Sequence, residues 1–361
     1  MLFRFIIVNV FSFVKRFFFF NAAIYNTIVF IPLLTVITLK ISKKSLHFVV
    51  IISFILFVAG NITSYFQFIM CFLLIIAIPM FEKVSFEKIL SRSILFFIIV
   101  SIYGIYQKFY GYTDIELNWI KSGLSFADEK AFLESGDIRP FSTFASMPEF
   151  TLFISIYIYY FATMEKKLFL YFSFVMLYIA GSRGVLLSTI VAYYFTFVVK
   201  KYNHKLLFKS FFVSFIIYLS LIFAFPIIFS SYETTSRMFA YGPFNSRVEL
   251  INRILNQSSY INIVTGLNIE GLELSNTFDN IYFMLIAHFG IVGGIYFLHF
   301  LLKQKIDKKN FYFLVIFLGY GFYADMIFSY YLMFLFFFAI YSYSDLLIEE
   351  RSLMPKKLQI A

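Results

Sequence analysis

Arginine and carboxylate residues that suit work on a phosphate and a hydroxyl occur at three places in this chain. Arg183 lies in YIAGSRGVLLS at 178–188, Arg247 in the loop sequence FNSRVELINRIL, and Asp279 in SNTFDNIYF. Arginine presents a fixed fork of N–H donors that holds a phosphate in a bidentate manner, and a carboxylate can take a proton from a hydroxyl. The predicted chemistry is charge stabilisation on a phosphate by Arg183 and Arg247, with Asp279 as the candidate base.

Four further polar residues accompany these three and are predicted to contact the same substrate. They are Arg139, Arg237, Arg253 and Asn280. Arg139 opens the turn-rich stretch RPFSTFASMPEF, and Asn280 stands beside Asp279 at the mouth of an apolar run. Glu149, in the same turn-rich stretch, is a reserve candidate for the base, although a carboxylate near a helix N-terminus is also favoured for electrostatic reasons alone.

Each of these residues also has an explanation that involves no ligand. The arginines could pair with loop carboxylates, and Asp279 could cap the helix that follows it. His288, inside the next apolar run, is more typical of a hydrogen-bonded packing residue than of a base. Gly290 and Gly294 form a small-xxx-small pattern that favours close helix packing. Arg183 fits such explanations least, because an arginine in a hydrocarbon run costs at least about 2.5–3.5 kcal/mol.

The elements that would position these residues are membrane helices. Of the 361 residues 61% are hydrophobic and 14% are charged, and the mean hydropathy is +0.84. This composition excludes an ordinary soluble domain. The net charge of +10 does not indicate a nucleic-acid partner, because the basic residues punctuate apolar runs instead of forming a soluble patch. A single cysteine, Cys71, excludes a disulfide within the chain and a cysteine metal site.

Apolar runs long enough, or nearly long enough, to cross a bilayer follow one another along the chain. They lie at 17–39, 46–60, 63–81, 93–110, 148–164, 168–181, 184–199, 206–229, 281–302, 310–324 and 326–347, with a further short run at 3–14. The sequence therefore predicts an all-α, polytopic integral membrane protein of about 11–12 transmembrane helices, forming a single membrane domain over 1–361. The two longer polar stretches, 111–147 and 230–280, are predicted to be extracytoplasmic loops.

The apolar run from 168 to 199 is too long for one ordinary span and is predicted to break near Arg183. Gly181 and Gly184 allow a tight turn there. If the turn lies at the outer surface, the guanidinium of Arg183 projects to the outer boundary of the bilayer, which is the level of a lipid phosphate.

Lysine and arginine predict the orientation of the chain. With both long loops outside, the cytoplasmic segments hold 19 Lys and Arg and the outer segments hold 8. The C-terminus is then cytoplasmic. Only Arg92 and Arg351 are arginines among the 19, whereas five of the outer 8 are arginines. This outer arginine set, which opposes the usual bias, is the main chemical signal in the sequence.

No sequence pattern for a metal or a nucleotide cofactor is present. HExxH, P-loop, GxGxxG, carboxylate-cluster and serine-elbow patterns do not occur. The sequence predicts that no cofactor and no metal take part.

Taken in order, these motifs resemble the O-antigen polymerase and ligase superfamily, whose members handle glycans linked to undecaprenyl pyrophosphate. The resemblance covers roughly residues 135–300. It rests on RPFSTF at 139–144, GSRGVLL at 181–187, FNSRVELINRIL at 244–255 and DNIYFMLIAHFGIVGG at 279–294.

The resemblance implies that Arg183 and Arg247 surround the pyrophosphate of a lipid-linked donor. Ligases of the superfamily carry a His-Asn pair where this chain has Asp279-Asn280, and no histidine occurs in 230–280. This departure favours a repeat-unit polymerase of the Wzy type over a ligase, and it leaves the identity of the base open. The implied reaction is metal-independent glycosyl transfer from undecaprenyl pyrophosphate to a sugar hydroxyl of another lipid-linked repeat unit.

The expected location is the bacterial cytoplasmic (inner) membrane, and the product is an O-antigen, capsule or exopolysaccharide. The expected partners are the undecaprenyl-pyrophosphate-linked oligosaccharide, the lipid bilayer, a chain-length regulator and a flippase. Three alternatives stay open: a ligase-type glycosyltransferase, a flippase for the same lipid-linked oligosaccharide, and a scaffold of the assembly complex. A flippase would place its charges within the spans, on both sides of the midplane.

Overall fold

Helices make up most of the chain that the structure describes. The computed structural model describes residues 43–58, 71–122, 138, 140–144, 146–229, 263–264, 266, 280–303, 305–322 and 330–344, with the side chains of all of these except 56–58, 183, 221–229, 330 and 331. The α-helices named here are α1 (Lys43–Val58), α2 (Ile78–Phe81), α3 (Phe86–Arg92), α4 (Ile94–Tyr110), α5 (Asp114–Lys121), α6 (Met147–Thr163), α7 (Lys167–Ile179), α8 (Arg183–Tyr193), α9 (His204–Phe229), α10 (Ile281–Leu302), α11 (Lys308–Tyr320) and α12 (Tyr330–Tyr341). Residues 71–76 and 263–264 are also helical. No β-strand occurs in these ranges, so the all-α prediction is confirmed for them.

Side-chain caps set the starts of several helices. The Ser85 side chain accepts a hydrogen bond from Lys88 N (3.2 Å) at the start of α3. Asp307 Oδ1 accepts one from Asn310 N (2.8 Å) at the start of α11. Each satisfies a backbone N–H that has no partner within the helix. In α6 Pro148 lies in the first turn, where its missing N–H is no loss.

The interior of the bundle is built around α6 and α11, whose residues are buried on every side. Buried positions run through Glu149–Phe161 in α6 and through Lys309–Tyr320 in α11. Helix α7 packs on α6, α8 and α9 pack on α11, and α12 packs on both α11 and α6. Aromatic contacts fill the interior; Phe317 and Phe336 stack with ring centroids 4.3 Å apart. Helix α1 packs on α10, where the Phe48 and Phe300 rings stack at 4.0 Å.

Hydroxyl groups tie the two central helices to α8. Ser155 Oγ of α6 and Thr189 Oγ1 of α8 share a hydrogen bond of 2.8 Å. The hydroxyl of Tyr312 in α11 donates to the carbonyl of Ser155 at 3.1 Å. All three residues are fully buried. Because a stranded hydroxyl in an apolar interior is costly, these bonds favour one register of the three helices.

Helices run in both directions along the bundle, which gives it two distinct ends. Ser188 of α8 lies against Gly319 near the end of α11, whereas Phe197, beyond α8, contacts Tyr312 near its start. Helices α8 and α11 are therefore antiparallel. We call the end where α11 finishes the Asn280 end, because α10 begins there at Asn280. We call the opposite end, where α11 begins, the Lys309 end.

The predicted spans correspond to observed helices wherever the structure describes them. The run at 281–302 coincides with α10, and the run at 148–164 coincides within a residue with α6. The run at 184–199 is α8 followed by a π-helical stretch, Tyr194–Val199. The runs at 3–14 and 17–39 lie outside the described residues. By length and apolar composition, α10 qualifies in the described part as a membrane span, and the pair α3 and α4, bent by 59°, qualifies if counted as one span.

Candidate functional site

Asn280 joins the start of α10 to the end of α11. Its Oδ1 accepts hydrogen bonds from Tyr282 N (3.0 Å) and Phe283 N (3.2 Å), and its Nδ2 donates to Phe322 O (3.3 Å). Ile281 N donates to Gly321 O at 2.8 Å. Both ends of the Asn280 amide are thus engaged within the protein. The structure gives this residue the role of helix cap, which the sequence had offered to Asp279, and its contact with the substrate stays a prediction.

The turn before α8 forms where the sequence predicted a break. Gly181 has φ of 73°, a left-handed conformation that glycine adopts without steric cost, and Ser182 occupies the N-cap position. Arg183 is the first residue of α8, and its side chain lies outside the described part. Gly184 takes no part in the turn, since it is buried in the first turn of α8. The prediction of a break is confirmed, and the role given to Gly184 is wrong.

The end of α11 brings the starts of α8 and α10 together. A Cβ atom at Gly319 would lie 2.8 Å from Ser188 Oγ, and one at Gly321 would lie 2.3 Å from Ile281 Cγ2. Only glycine permits such close contact on both sides. Arg183 and Asn280 therefore begin helices that flank the same glycine-bearing helix end. The free N–H groups and the dipole of a helix start favour an anion beside Arg183.

The RPFSTF segment is held at the same end by a buried glutamine of α4. Gln107 Oε1 accepts hydrogen bonds from Phe141 N (3.0 Å) and Ser142 N (2.6 Å). Ser142 itself has φ of 52°, and its Oγ donates to Val100 O at 2.6 Å. Gly104 of α4 lies against Phe150 of α6, which places the end of α4 beside the start of α6. These bonds fix the turn that follows Arg139.

Glu116 completes this arrangement and was not singled out from the sequence. Its Oε1 accepts a hydrogen bond from Gln107 Nε2 at 2.6 Å, and its Oε2 accepts from Thr113 N at 3.0 Å in a capping box at the start of α5. The side chain is 2% exposed. The spacing T-x-x-E at 113–116 carries the capping-box signal. Nothing local in the sequence indicates the bond to Gln107.

The remaining predicted site residues divide by whether the structure describes them. Arg139, Arg237, Arg247, Arg253 and Asp279 lie outside the described residues. The reserve base Glu149 is buried in the first turn of α6, at the Asn280 end. His288 is fully buried in α10. Within the described ranges no three His, Cys, Asp or Glu side chains are grouped closely enough to hold a metal ion.

The Lys309 end carries a buried cation that closes a helix C-terminus. Lys309 Nζ donates to Ala339 O (2.5 Å), to Ile340 O (3.1 Å) and to Ser342 O at the end of α12. Burial lowers the pKa of Lys309 to about 8, although Asp307 and Glu87 favour the charged form. The carbonyl groups at a helix end also favour a cation. This cluster is structural, and it lies at the end of the bundle away from Arg183 and Asn280.

Comparisons with known proteins add no relative to this picture. No protein-family model, no curated protein and no solved structure matches the chain.

Proposed function

We propose that this protein is a polytopic membrane glycosyltransferase that polymerises lipid-linked oligosaccharide repeat units, similar to polymerases of the Wzy type. The observation that carries the proposal is the convergence of two helix starts on the end of α11. One start bears Arg183, and the other is capped by Asn280, the residue directly after Asp279. Arg183 and the residue next to the candidate base thereby belong to the same end of the bundle.

Apolar stripes on the outside of the bundle support its placement in a bilayer. In α4 the exposed residues Leu95, Ile99, Ile102, Tyr106 and Phe109 recur every three or four positions, which is the spacing of one helix face. Leu95 is 70% exposed and Phe109 is 73% exposed. Each such side chain would gain about 1.5–3 kcal/mol by leaving water. Lipid tails supply that environment along the whole length of α4.

A second stripe on α7 supports the same placement. Leu168, Tyr171, Val175 and Tyr178 are exposed at the same three- and four-residue spacing, while Met176 and Leu177 are buried against the bundle. A helix that is apolar both inside and outside is typical of a membrane span. We therefore assign a lipid-facing surface to α4 and α7.

The distribution of cations supports a cytoplasmic Lys309 end. Described Lys and Arg residues at or near that end are Lys43, Lys44, Lys83, Lys88, Arg92, Lys166, Lys167, Lys200, Lys201, Lys205, Lys303, Lys305, Lys308 and Lys309, while Lys209 lies between the two ends. At the Asn280 end the described cations are Lys108, Lys121 and Arg183. Positive residues favour the cytoplasmic side of a bacterial inner membrane. The proposed site then lies at its outer face.

In the proposed reaction, a sugar hydroxyl of one lipid-linked repeat unit attacks the anomeric carbon of a glycan on undecaprenyl pyrophosphate. The new glycosidic bond forms as the bond to the pyrophosphate oxygen breaks. Asp279 accepts the hydroxyl proton. Arg183 and Arg247 stabilise the negative charge that builds on the departing pyrophosphate, as preorganised donors do at oxyanion sites. Asn280 holds the helix that begins beside the base.

The same proposal gives supporting tasks to the other outer arginines. Arg139, Arg237 and Arg253 bind the phosphates or the sugars of the two substrates, because their donors suit both. No metal takes part in this scheme, since arginine supplies the positive charge. Excluding water from the closed site suppresses hydrolysis of the donor.

The test is a glycan ladder from cells that lack this gene, complemented with wild type, Arg183→Ala or Arg247→Ala. Lys121→Ala serves as a control for loss of an outer cation. We expect each arginine variant to lose long chains at normal protein level, with a rate loss of about a hundred- to thousand-fold. Single repeat units should still reach the acceptor. Wild-type chain length in both arginine variants would refute the assignment.

The same gel separates the competing functions. Lipid-linked polymer that accumulates outside the cell, without surface glycan, would identify a ligase. Single lipid-linked units that accumulate inside would identify a flippase. A complete ladder in every variant, with none in the deletion strain, would identify a scaffold.

A further inference from the structure

Helix α10 is broken at Gly290, where the sequence predicted continuous packing. Gly290 has φ of 68° and ψ of 175°, a conformation outside the helical region. Only glycine populates this region readily, so another residue held there is strained. The break lies ten residues after Asn280, which is about 15 Å along the helix axis. Gly290 is therefore a bend within α10 and not part of a straight small-xxx-small face.

The break accommodates the backbone of the second long loop. A Cβ atom at Gly290 would lie 2.1 Å from Val264 O and 2.6 Å from Gly266 N. Both neighbours are main-chain atoms and cannot move aside as a side-chain tip can. Gly266 has φ of 108°, so glycine conformations occur on both sides of the contact. Val264 and Gly266 thus touch α10 far from the Asn280 end, although both belong to the stretch between α9 and α10, where Ile263 and Val264 are helical.

Inside an apolar layer, few other arrangements could bury the polar backbone groups of this contact. Irregular backbone at membrane depth is tolerated where it is buried in protein or lines a cavity, because unpaired N–H and C=O groups are costly in hydrocarbon. Gly266 and Gly290 are buried, whereas Val264 and Ile291 beside them are partly exposed. The polar backbone faces the helix break, and the apolar side chains face outward. The segment is therefore suited to anchoring the loop within the layer.

Anchoring at Val264 would restrict both halves of the loop. Val264 lies roughly midway in the sequence between Arg247 and Asp279. Fixing the middle of a flexible loop shortens the free chain on each side and lowers the entropy cost of ordering it. Arg247 and Asp279 are then separated by 17 and 15 residues, respectively, from an anchored point of the chain.

We propose that Gly290 is a positioning residue whose break in α10 docks Val264 and Gly266 and thereby restricts the reach of the arginine-bearing stretch between α9 and α10. The docking rests on the observed contacts, and its effect on polymerisation rests on the function proposed above. Gly290 itself touches no substrate. Its role is to admit the loop backbone at a place where any side chain would exclude it.

The test combines a crosslink with the glycan ladder, in full-length protein carrying Cys71→Ser. Val264→Cys and Ile291→Cys are introduced together, and membranes are treated with a short thiol crosslinker. Gly290→Ala is then compared with Gly294→Ala. Gly294 is the matched control, because its added Cβ would meet ordinary contacts of 3.4 Å or more and its φ is not positive. We expect Gly290→Ala to lose both the crosslink and the long chains, and Gly294→Ala to keep both.

Each result decides the proposal. An absent crosslink in protein with Gly290 intact overturns the docking, whatever Gly290→Ala does to folding. A crosslink that persists in Gly290→Ala also overturns it. Loss of the crosslink with chains of normal length shows that docking does not position the loop for polymerisation. If wild type supports no polymerisation, the proposed function fails, and the crosslink alone still decides the docking.

Discussion

Replacing Gln107 with leucine removes the side chain that holds the turn after Arg139. The Gln107 amide is fully buried and takes part in four hydrogen bonds, two as acceptor and two as donor. Leucine has a similar size and no polar atoms. The substitution therefore strands the N–H groups of Phe141 and Ser142 and removes one partner of the Glu116 carboxylate. The α4 helix itself should persist, since leucine is a good helix former.

The expected loss in the free energy of unfolding follows from the number of buried polar groups that lose their hydrogen-bond partner. A buried polar group left without a partner costs about 1–3 kcal/mol, so three groups give about 3–6 kcal/mol once their coupling is allowed for. This cost falls on the segment 140–144 and not evenly on the bundle. We expect the turn to detach first, with a drop on the order of 5–10 °C in the unfolding midpoint. Under the proposed function, polymer chains should also shorten, because the turn that follows Arg139 in the sequence is released.

The assay measures unfolding midpoints of detergent-purified protein, protease sensitivity of the 111–147 loop, and the glycan ladder. Phe109→Leu is the control, because it alters an exposed residue two positions away on the same helix. The exchanged pair Gln107→Glu with Glu116→Gln should be more stable than Gln107→Glu alone, since it again sets a donor opposite an acceptor. Equal midpoints and equal ladders for Gln107→Leu and Phe109→Leu would refute the role of this network.

Three further predictions test other parts of the structure. Burial lowers the folded pKa of Lys309 to about 8 from 10.5, so the unfolded chain binds more protons between these values. Stability should then rise across that window as pH increases, by about 3 kcal/mol for the full shift; unfolding midpoints of Lys309→Met should lack the rise. Asn280→Ala removes a helix cap worth about 0.5–2 kcal/mol and should lower the midpoint and shorten the glycan, whereas Asn280→Asp should retain most of the cap; equal effects would contradict the capping role. Gly321→Ala should lower the midpoint more than Gly319→Ala, because a Cβ at Gly321 meets Ile281 at 2.3 Å whereas one at Gly319 meets serine hydroxyls at 2.8–2.9 Å; the reverse order of midpoints would contradict the packing.

Local patterns predicted some turns and missed others for identifiable reasons. The break before Arg183 follows from the length of the apolar run and from Gly181, and both are local properties. The break at Gly290 does not, because a glycine in an apolar run is equally typical of helix packing. What distinguishes it is the backbone of Val264, which lies in another part of the chain. The packing glycine of α10 is instead Gly293, whose Cβ would contact Ile55 of α1.

Polar contacts between distant segments were likewise beyond local prediction. Asp279 and Asn280 are both good N-cap residues. Asn280 is the cap in the structure, and its Nδ2 also donates a hydrogen bond to Phe322 O, just beyond the end of α11. The bonds from Gln107 reach Phe141 and Ser142, 34 and 35 residues away in the sequence. No periodicity or spacing connects those positions. Arg247 and Asp279 stay predictions, since the structure describes neither.

The sequence by itself determined the all-α class, most helix bounds, and the residues able to bind a phosphate, because hydrophobic periodicity and side-chain chemistry are local properties. The tertiary structure alone decided that the starts of α8 and α10 meet at the glycines of α11. It also decided that Gln107 holds the RPFSTF turn and that α10 opens at Gly290 to receive the loop backbone. These features depend on contacts between segments that are far apart in the chain. The segment that packs against a glycine decides whether a Cβ atom would fit there, and the segment that faces a buried amide decides whether its hydrogen bonds are made.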